Sequence, residues 1–182
     1  MFISLEGVDG SGKSTQAKLL AEALGPETLL IRELLADPAL AIDPFAELLL
    51  FSAARADLLS RVVRPALEGG GTVVADRFAD SSVAYQGAAR GLGTSYVLSL
   101  VDTTIDGLWP DLTLLLRLDP EVGLGRADGE DRFEAEGLEL QRAVAEAYDE
   151  IAQVASDRVV VIDAEGSVEE VHARVMEAVR SR

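Results

Sequence analysis

The sequence predicts an α/β protein built on a five-stranded parallel sheet flanked by helices. Three observations point there. Five short apolar runs, Phe2–Leu5, Thr28–Ile31, Thr72–Ala75, Leu112–Leu118 and Val159–Ile162, alternate with stretches of helical character. Most of these runs are apolar without alternation, as strands covered on both faces are. The first run leads straight into a glycine-rich turn and then a helix, the order in which open sheets bind phosphate.

Each element has a local reason. A helix over Ser14–Leu24 places Ala17, Leu20, Ala21 and Leu24 at helical spacing, and Gly25 with Pro26 ends it. Pro44–Leu67 reads as helix, interrupted near Pro65, which belongs at a kink or an end. Gly69–Gly71 and Asp76 bracket the buried strand TVVA. Helices over Gly137–Ala155 and Val168–Val179 flank the last strand. No repeat, low-complexity stretch or linker divides the 182 residues, so one domain over residues 1–182 is expected.

Composition narrows the function. At 48% hydrophobic the chain is globular in character, and with no cysteine it has neither disulfides nor thiolate metal sites. A formal net charge of −16 argues against binding nucleic acid, which requires a basic footprint. No apolar stretch approaches a membrane span, and Met1–Leu5 runs directly into the motif without a leader, so a cytoplasmic protein is expected. Lys13 and Lys18 are the only lysines; His172 aside, every other cationic side chain is arginine, the residue suited to planar phosphate recognition. His172, beside Val171 on the last helix, reads as structural.

Gly7 to Ser14 spells G-x-x-x-x-G-K-S. In such a loop the glycines let backbone N–H groups turn inward around phosphate oxygens, and the following helix adds its positive end. Gly7, Val8, Asp9, Gly10, Ser11, Gly12, Lys13, Ser14 and Thr15 form the ATP-binding candidate set. Lys13 is expected to reach the β/γ-phosphates and the Ser14 hydroxyl to ligate Mg²⁺. The motif alone means nucleoside-triphosphate binding and does not separate kinase from GTPase, motor or partition ATPase. The sequence has no asparagine and so no N-K-x-D, which weakens the GTPase reading. Asp76 and Arg77 follow a buried strand, where open α/β sheets bind ligands. An acid there can hold Mg²⁺ through water or orient an acceptor, and the arginine can clamp a phosphate.

The loop and the stretches "AELLLFSAARADLLSRVVRPALEGGGTVVADRF", "DSSVAYQGAARGLG", "PDLTLLLRLDPEVGLGR", "DRFEAEG" and "VVVIDAEGSVEEV" together resemble thymidylate kinases of the bacterial type over nearly the whole chain. The resemblance implies a three-layer P-loop nucleoside-monophosphate-kinase fold, ATP and dTMP as substrates, Mg²⁺ with the ATP, and a homodimer. It implies that Asp9 contacts the 3′-hydroxyl of the deoxyribose, that Phe51 stacks on thymine, and that Arg55 bonds the base's carbonyl edge; Phe51 and Arg55 are four apart, on one helix face. Ser82 resembles the residue facing the ring nitrogen, Tyr85 the aromatic that would clash with a 2′-hydroxyl, and Gln86 a lining residue. Arg77 is implied to position the acceptor phosphate. Residues 125–137 resemble a lid, whose Arg126 and Arg132 are the cations expected to bridge the transferring phosphoryl group and whose Glu134 comes near the substrate.

Two stretches depart from the family pattern. The "REPGG"-type segment expected after the second strand is absent, and Arg32–Glu33 in "IRELL" fits the following helix better than that segment. The lid is short and poor in basic residues. The missing segment keeps open a relative that binds nucleotide with impaired transfer; the other alternative, another deoxynucleotide or deoxynucleoside kinase, is opposed by an arginine poised for a monophosphate and by the "DSSVAYQG" pocket.

Overall fold

The computed structural model describes residues 1–25, 43–126 and 137–182, together with the backbone of Thr28–Arg32. The strands are β1 (Phe2–Glu6), β2 (Thr28–Arg32), β3 (Thr72–Asp76), β4 (Leu112–Arg117) and β5 (Val159–Asp163). They form one parallel sheet in the order β2-β3-β1-β4-β5. The helices are α1 (Lys13–Leu24), α2 (Pro44–Leu58), α3 (Arg64–Glu68), α4 (Ala79–Ser82), α5 (Thr94–Ile105), α6 (Pro120–Arg126), α7 (Leu138–Val154) and α8 (Val168–Arg180). Each strand thus returns to the sheet through a helical crossover, as parallel pairing requires.

The central strands are buried on both faces, which explains their unbroken apolar runs. Ile3, Leu5, Val74, Leu114 and Leu116 pack with α1, α7 and α8 residues such as Leu20, Val144 and Val175. Phe2, Val73 and Ala75 pack with Leu48, Leu59, Val97 and Val101 from the α2 and α5 side. The sheet is therefore a filling between two apolar layers.

Pro65 sits in the first turn of α3, directly after a π-helical turn at Leu59–Val63 that joins α2 to α3. The expected interruption is therefore a widened turn, and the proline's missing N–H falls where a new helix begins. A second π-helical turn, Val83–Ala89, continues α4 and carries Tyr85 and Gln86. Among the described residues no helix is long and apolar enough to cross a membrane.

Candidate active site

The carboxyl ends of β1 and β3 bring the two sequence constellations together. Leu5 pairs with Asp76 in the sheet, so the glycine-rich loop leaving β1 and the segment leaving β3 start side by side. In the loop, Gly10 and Gly12 adopt positive φ, 72° and 87°, which glycine takes without a Cβ penalty. Lys13 opens α1 and turns back into the loop, donating to the Val8 carbonyl at 2.6 Å and the Ser11 hydroxyl at 3.3 Å. Burial and the nearby Arg77 charge push the Lys13 ammonium down to about 8. Val8, Asp9 and Ser11 are buried in the loop, whereas Thr15 is exposed.

Ser14 Oγ donates to Asp76 Oδ2 at 2.6 Å. A hydroxyl and a carboxylate adjoining the start of α1 are two hard oxygen donors, and they fit Mg²⁺ held largely by phosphate and water. Among the described residues no group of three or more His, Cys, Asp and Glu could hold a metal ion.

Arg77 has φ 69°, left-handed backbone that is uncommon outside glycine. Its guanidinium pairs with Asp9, reaches the Gly7 carbonyl at 3.4 Å, and lies 4.9 Å from the centre of the Tyr85 ring. Asp9 Oδ2 accepts from the Tyr85 hydroxyl at 3.2 Å and from Gln141 Nε2 at 2.7 Å. Burial pushes the Asp9 carboxyl up, but Arg77 and Lys13 outweigh it and leave Asp9 below the usual carboxylate range. Arg77 itself is held well above its ordinary value; burial opposes this, and the Tyr85 and Asp9 partners overcome it.

The base-recognition candidates also converge. Arg55, 1% exposed on α2, donates through Nη2 to Ser82 Oγ at 2.9 Å and to the Phe78 carbonyl at 3.3 Å. Phe51 lies one turn earlier on α2 and is also buried. Gln86 Nε2 donates to Glu47 Oε1, which also accepts from Arg90 Nε at 2.8 Å. Arg126 is not brought into this cluster. It is exposed at the end of α6, although α6 itself abuts the loop: a Cβ on Gly10 would lie 1.9 Å from the Gly123 carbonyl oxygen. Arg132 and Glu134, and residues 127–136 of the expected lid, lie outside the described residues, as does the stretch following β2 at 33–42.

The comparisons with known proteins now bear on this cleft. The family model described as thymidylate kinase matches residues 5–175. The thymidylate kinase of Synechococcus sp. (strain JA-2-3B'a(2-13)) is 45% identical, with 100% of this chain and 95% of that protein covered. The thymidylate kinase of Deinococcus radiodurans is 40% identical, covering 100% and 97%. A crystal structure of thymidylate kinase from Ehrlichia chaffeensis superposes with a TM-score of 0.81 at 30% identity, over 98% of each chain. The chain belongs to the thymidylate kinase family.

As a member of that family it is a kinase. Its match to the Synechococcus thymidylate kinase spans 199 aligned positions, 17 more than the chain has residues. The chain is therefore shorter than that relative within the aligned region. Several residues of the cleft escaped sequence reasoning: Glu6, Glu47, Arg90, Gly123, Gln141 and Tyr148. Gly123 was visible only as one glycine in "GLGR", with nothing to indicate that a Cβ there would lie 2.4 Å from the Asp9 carbonyl oxygen. Glu47 and Gln141 carried no signal beyond being polar residues in helical stretches.

Proposed function

We propose that this chain transfers the γ-phosphoryl group of ATP to dTMP, giving ADP and dTDP, as one cytoplasmic domain acting in a homodimer. The observation that supports it best is the meeting of a Lys13 phosphate loop with the Arg77–Asp9–Tyr85 cluster at adjoining strand ends.

In this reading the loop amides and Lys13 hold the ATP phosphates, and an approaching phosphate favours the charged form of the ammonium. Ser14 and Asp76 would hold Mg²⁺, whose charge would offset that of the ATP phosphates. Arg77 exchanges part of its pairing with Asp9 for the dTMP phosphate, while Asp9 takes the 3′-hydroxyl. Tyr85 walls the sugar and leaves no room for a 2′-hydroxyl. Phe51 stacks on thymine, Arg55 and Ser82 read its edge as a preformed hydrogen-bonded pair, and Gln86 lines the pocket. Arg126, Arg132 and Glu134 act from the lid. Catalysis is then positioning and charge stabilisation; no covalent intermediate is formed.

The dimer proposal has its own support. The apolar run on α2 divides: Leu48 and Phe51 face inward, while Phe45, Leu49 and Leu50 are 39–46% exposed. Phe45 stacks loosely on Tyr96 of α5, extending the exposed apolar surface. A second copy of the chain would cover it.

Initial rates with Mg·ATP and either dTMP or thymidine test the reaction. ADP and dTDP formed in equal amounts with dTMP are expected. Transfer to thymidine but not to dTMP, or ATP consumption that ignores the acceptor, would overturn it.

A further inference from the structure

The last residue of β1 is a fully buried carboxylate whose hydrogen-bond partners lie outside the phosphate loop, although its charge is felt at Lys13. Glu6 is 0% exposed, and three donors from two elements meet on it. Its Oε1 accepts the Phe78 backbone N–H at 2.8 Å. Its Oε2 accepts the Ser81 hydroxyl at 2.5 Å and the Tyr148 hydroxyl, from α7, at 2.8 Å. Burying an acid among apolar strands is costly unless its oxygens are satisfied. Here the satisfying groups lie immediately around Arg77.

Arg77 is the residue that most needs support. Its left-handed φ persists only where the surroundings over-determine it. On one side, the Arg77 N–H donates to the Leu5 carbonyl at 3.2 Å. On the other, the next N–H, of Phe78, is held by the Glu6 side chain. Consecutive residues of β1 therefore pin both flanks of the strained position. The Ser81 hydroxyl, oriented by Glu6, also lies 3.5 Å from Arg77 Nη1. Phe78 is the residue before α4, and no side chain of its own segment caps that helix; Glu6 supplies the acceptor from across the sheet.

We infer that Glu6 is a positioning residue for the acceptor half of the site: its carboxylate clamps Phe78 and Ser81 so that Arg77 keeps the backbone conformation that turns its guanidinium toward Asp9. The inference rests on the reading of Arg77 as the group that receives the dTMP phosphate. Glu6 itself need touch neither substrate. The effect of replacing it is then larger on the dTMP side: the grip on dTMP loosens, while the loop that holds ATP makes no hydrogen bond to Glu6, and its Lys13 feels that residue through charge.

The test is steady-state kinetics of the full chain with Mg·ATP and dTMP, comparing wild type with Glu6→Gln, Ser81→Ala and Tyr148→Phe, each with its thermal melt. Glutamine keeps the size of Glu6 and an acceptor for the Phe78 N–H but presents an NH₂ to the two hydroxyls. For Glu6→Gln the KM for dTMP is expected to rise about tenfold, the size of one charge-assisted hydrogen bond, with the KM for ATP changed less than about twofold. Ser81→Ala is expected to shift the same KM in the same direction. Tyr148→Phe removes a hydroxyl that shares Glu6 Oε2 with Ser81 and lies 2.9 Å from Ser81 Oγ, but it leaves the carboxylate and the Ser81 hydroxyl in place; it is expected to lower the melting temperature and to raise the KM for dTMP clearly less than Glu6→Gln does. The inference is overturned if Glu6→Gln leaves the KM for dTMP unchanged, if both KM values rise together, or if Tyr148→Phe matches Glu6→Gln, each of which marks a merely structural core acid. A wild-type protein that melts cooperatively but does not phosphorylate dTMP would instead overturn the functional reading, and the inference with it.

Discussion

The two sides of the cleft, proposed to hold the phosphoryl donor and the acceptor, are built in different ways. The phosphate loop between Gly7 and Ser14 is shaped mainly by its own residues, with Arg77 and Gln141 reaching Gly7 and Asp9 from outside: Lys13 bonds the Val8 carbonyl and the Ser11 hydroxyl, and glycines supply the turns. The acceptor side is drawn from distant parts of the chain. Arg77 meets Asp9, Arg55 of α2 meets Ser82, Glu47 meets Gln86, and Glu6 meets Phe78 across the sheet. A local device depends on backbone conformation and one cation; a distributed one depends on a chain of satisfied polar side chains, several of them buried. The two sides should therefore fail differently.

Removing the cation of the local device has the largest expected effect. Lys13→Ala should lower kcat by about 10²–10³-fold, the scale of losing one preorganised charge-stabilising group, in a protein whose melting temperature changes little. A kcat within tenfold of wild type would show that the loop does not supply the charge ascribed to Lys13.

Glu6 exposes the cost of the distributed side. Burial, and then the charge of Asp80, raise its carboxyl to about 7 from 4.5. The folded protein thus binds this proton more tightly than the unfolded chain between pH 4.5 and 7, so this group makes stability fall as pH rises through that window. Above pH 7 its full cost is present, on the order of 3 kcal/mol. Urea unfolding at pH 5 and pH 8 should show a drop for wild type that is smaller in Glu6→Gln. An identical pH slope in both proteins would contradict this assignment.

Arg55→Met sharpens the comparison from the base-recognition end. Its guanidinium is preset on Ser82 Oγ and the Phe78 carbonyl. The variant should lose about 10–100-fold in kcat/KM for dTMP, with the KM for ATP nearly unchanged. The smallest effect is expected from Gly123→Ala. Its Cβ would meet the Asp9 carbonyl oxygen at 2.4 Å, and the backbone there must shift. A loss of about 1–3 kcal/mol in stability and a severalfold rise in the KM for ATP are expected; an unaltered melt would show that α6 yields freely.

The same contrast explains what the sequence revealed. The loop was legible because its chemistry is local: glycine spacing, one lysine and a helix start are all present in a single run of residues. The five strands were legible from apolar runs, but β1 was ended one residue early, at Leu5. A glutamate at a strand end looks like solvent-facing loop, and only the fold supplies the three donors that bury Glu6. Phe51, Arg55, Ser82, Tyr85 and Gln86 were nameable through family resemblance, and they do gather between α2 and the segment after β3. The supporting residues, Glu47 on Gln86, Gln141 on Asp9 and Tyr148 on Glu6, find their partners across large separations in the chain, and their types are ordinary for helices. The interruption near Pro65 was anticipated from proline chemistry, whereas the π-helical turn that accommodates it was not, because no residue type marks such turns.

The most direct measurement is a crossed set of binding isotherms: Lys13→Ala and Arg55→Met, each titrated with ATP in the presence of Mg²⁺ and, separately, with dTMP. The account predicts that Lys13→Ala loses affinity for ATP while binding dTMP as wild type does, and that Arg55→Met does the reverse. If each variant lost affinity for both ligands to a similar extent, the division into a local donor device and a distributed acceptor network would be contradicted.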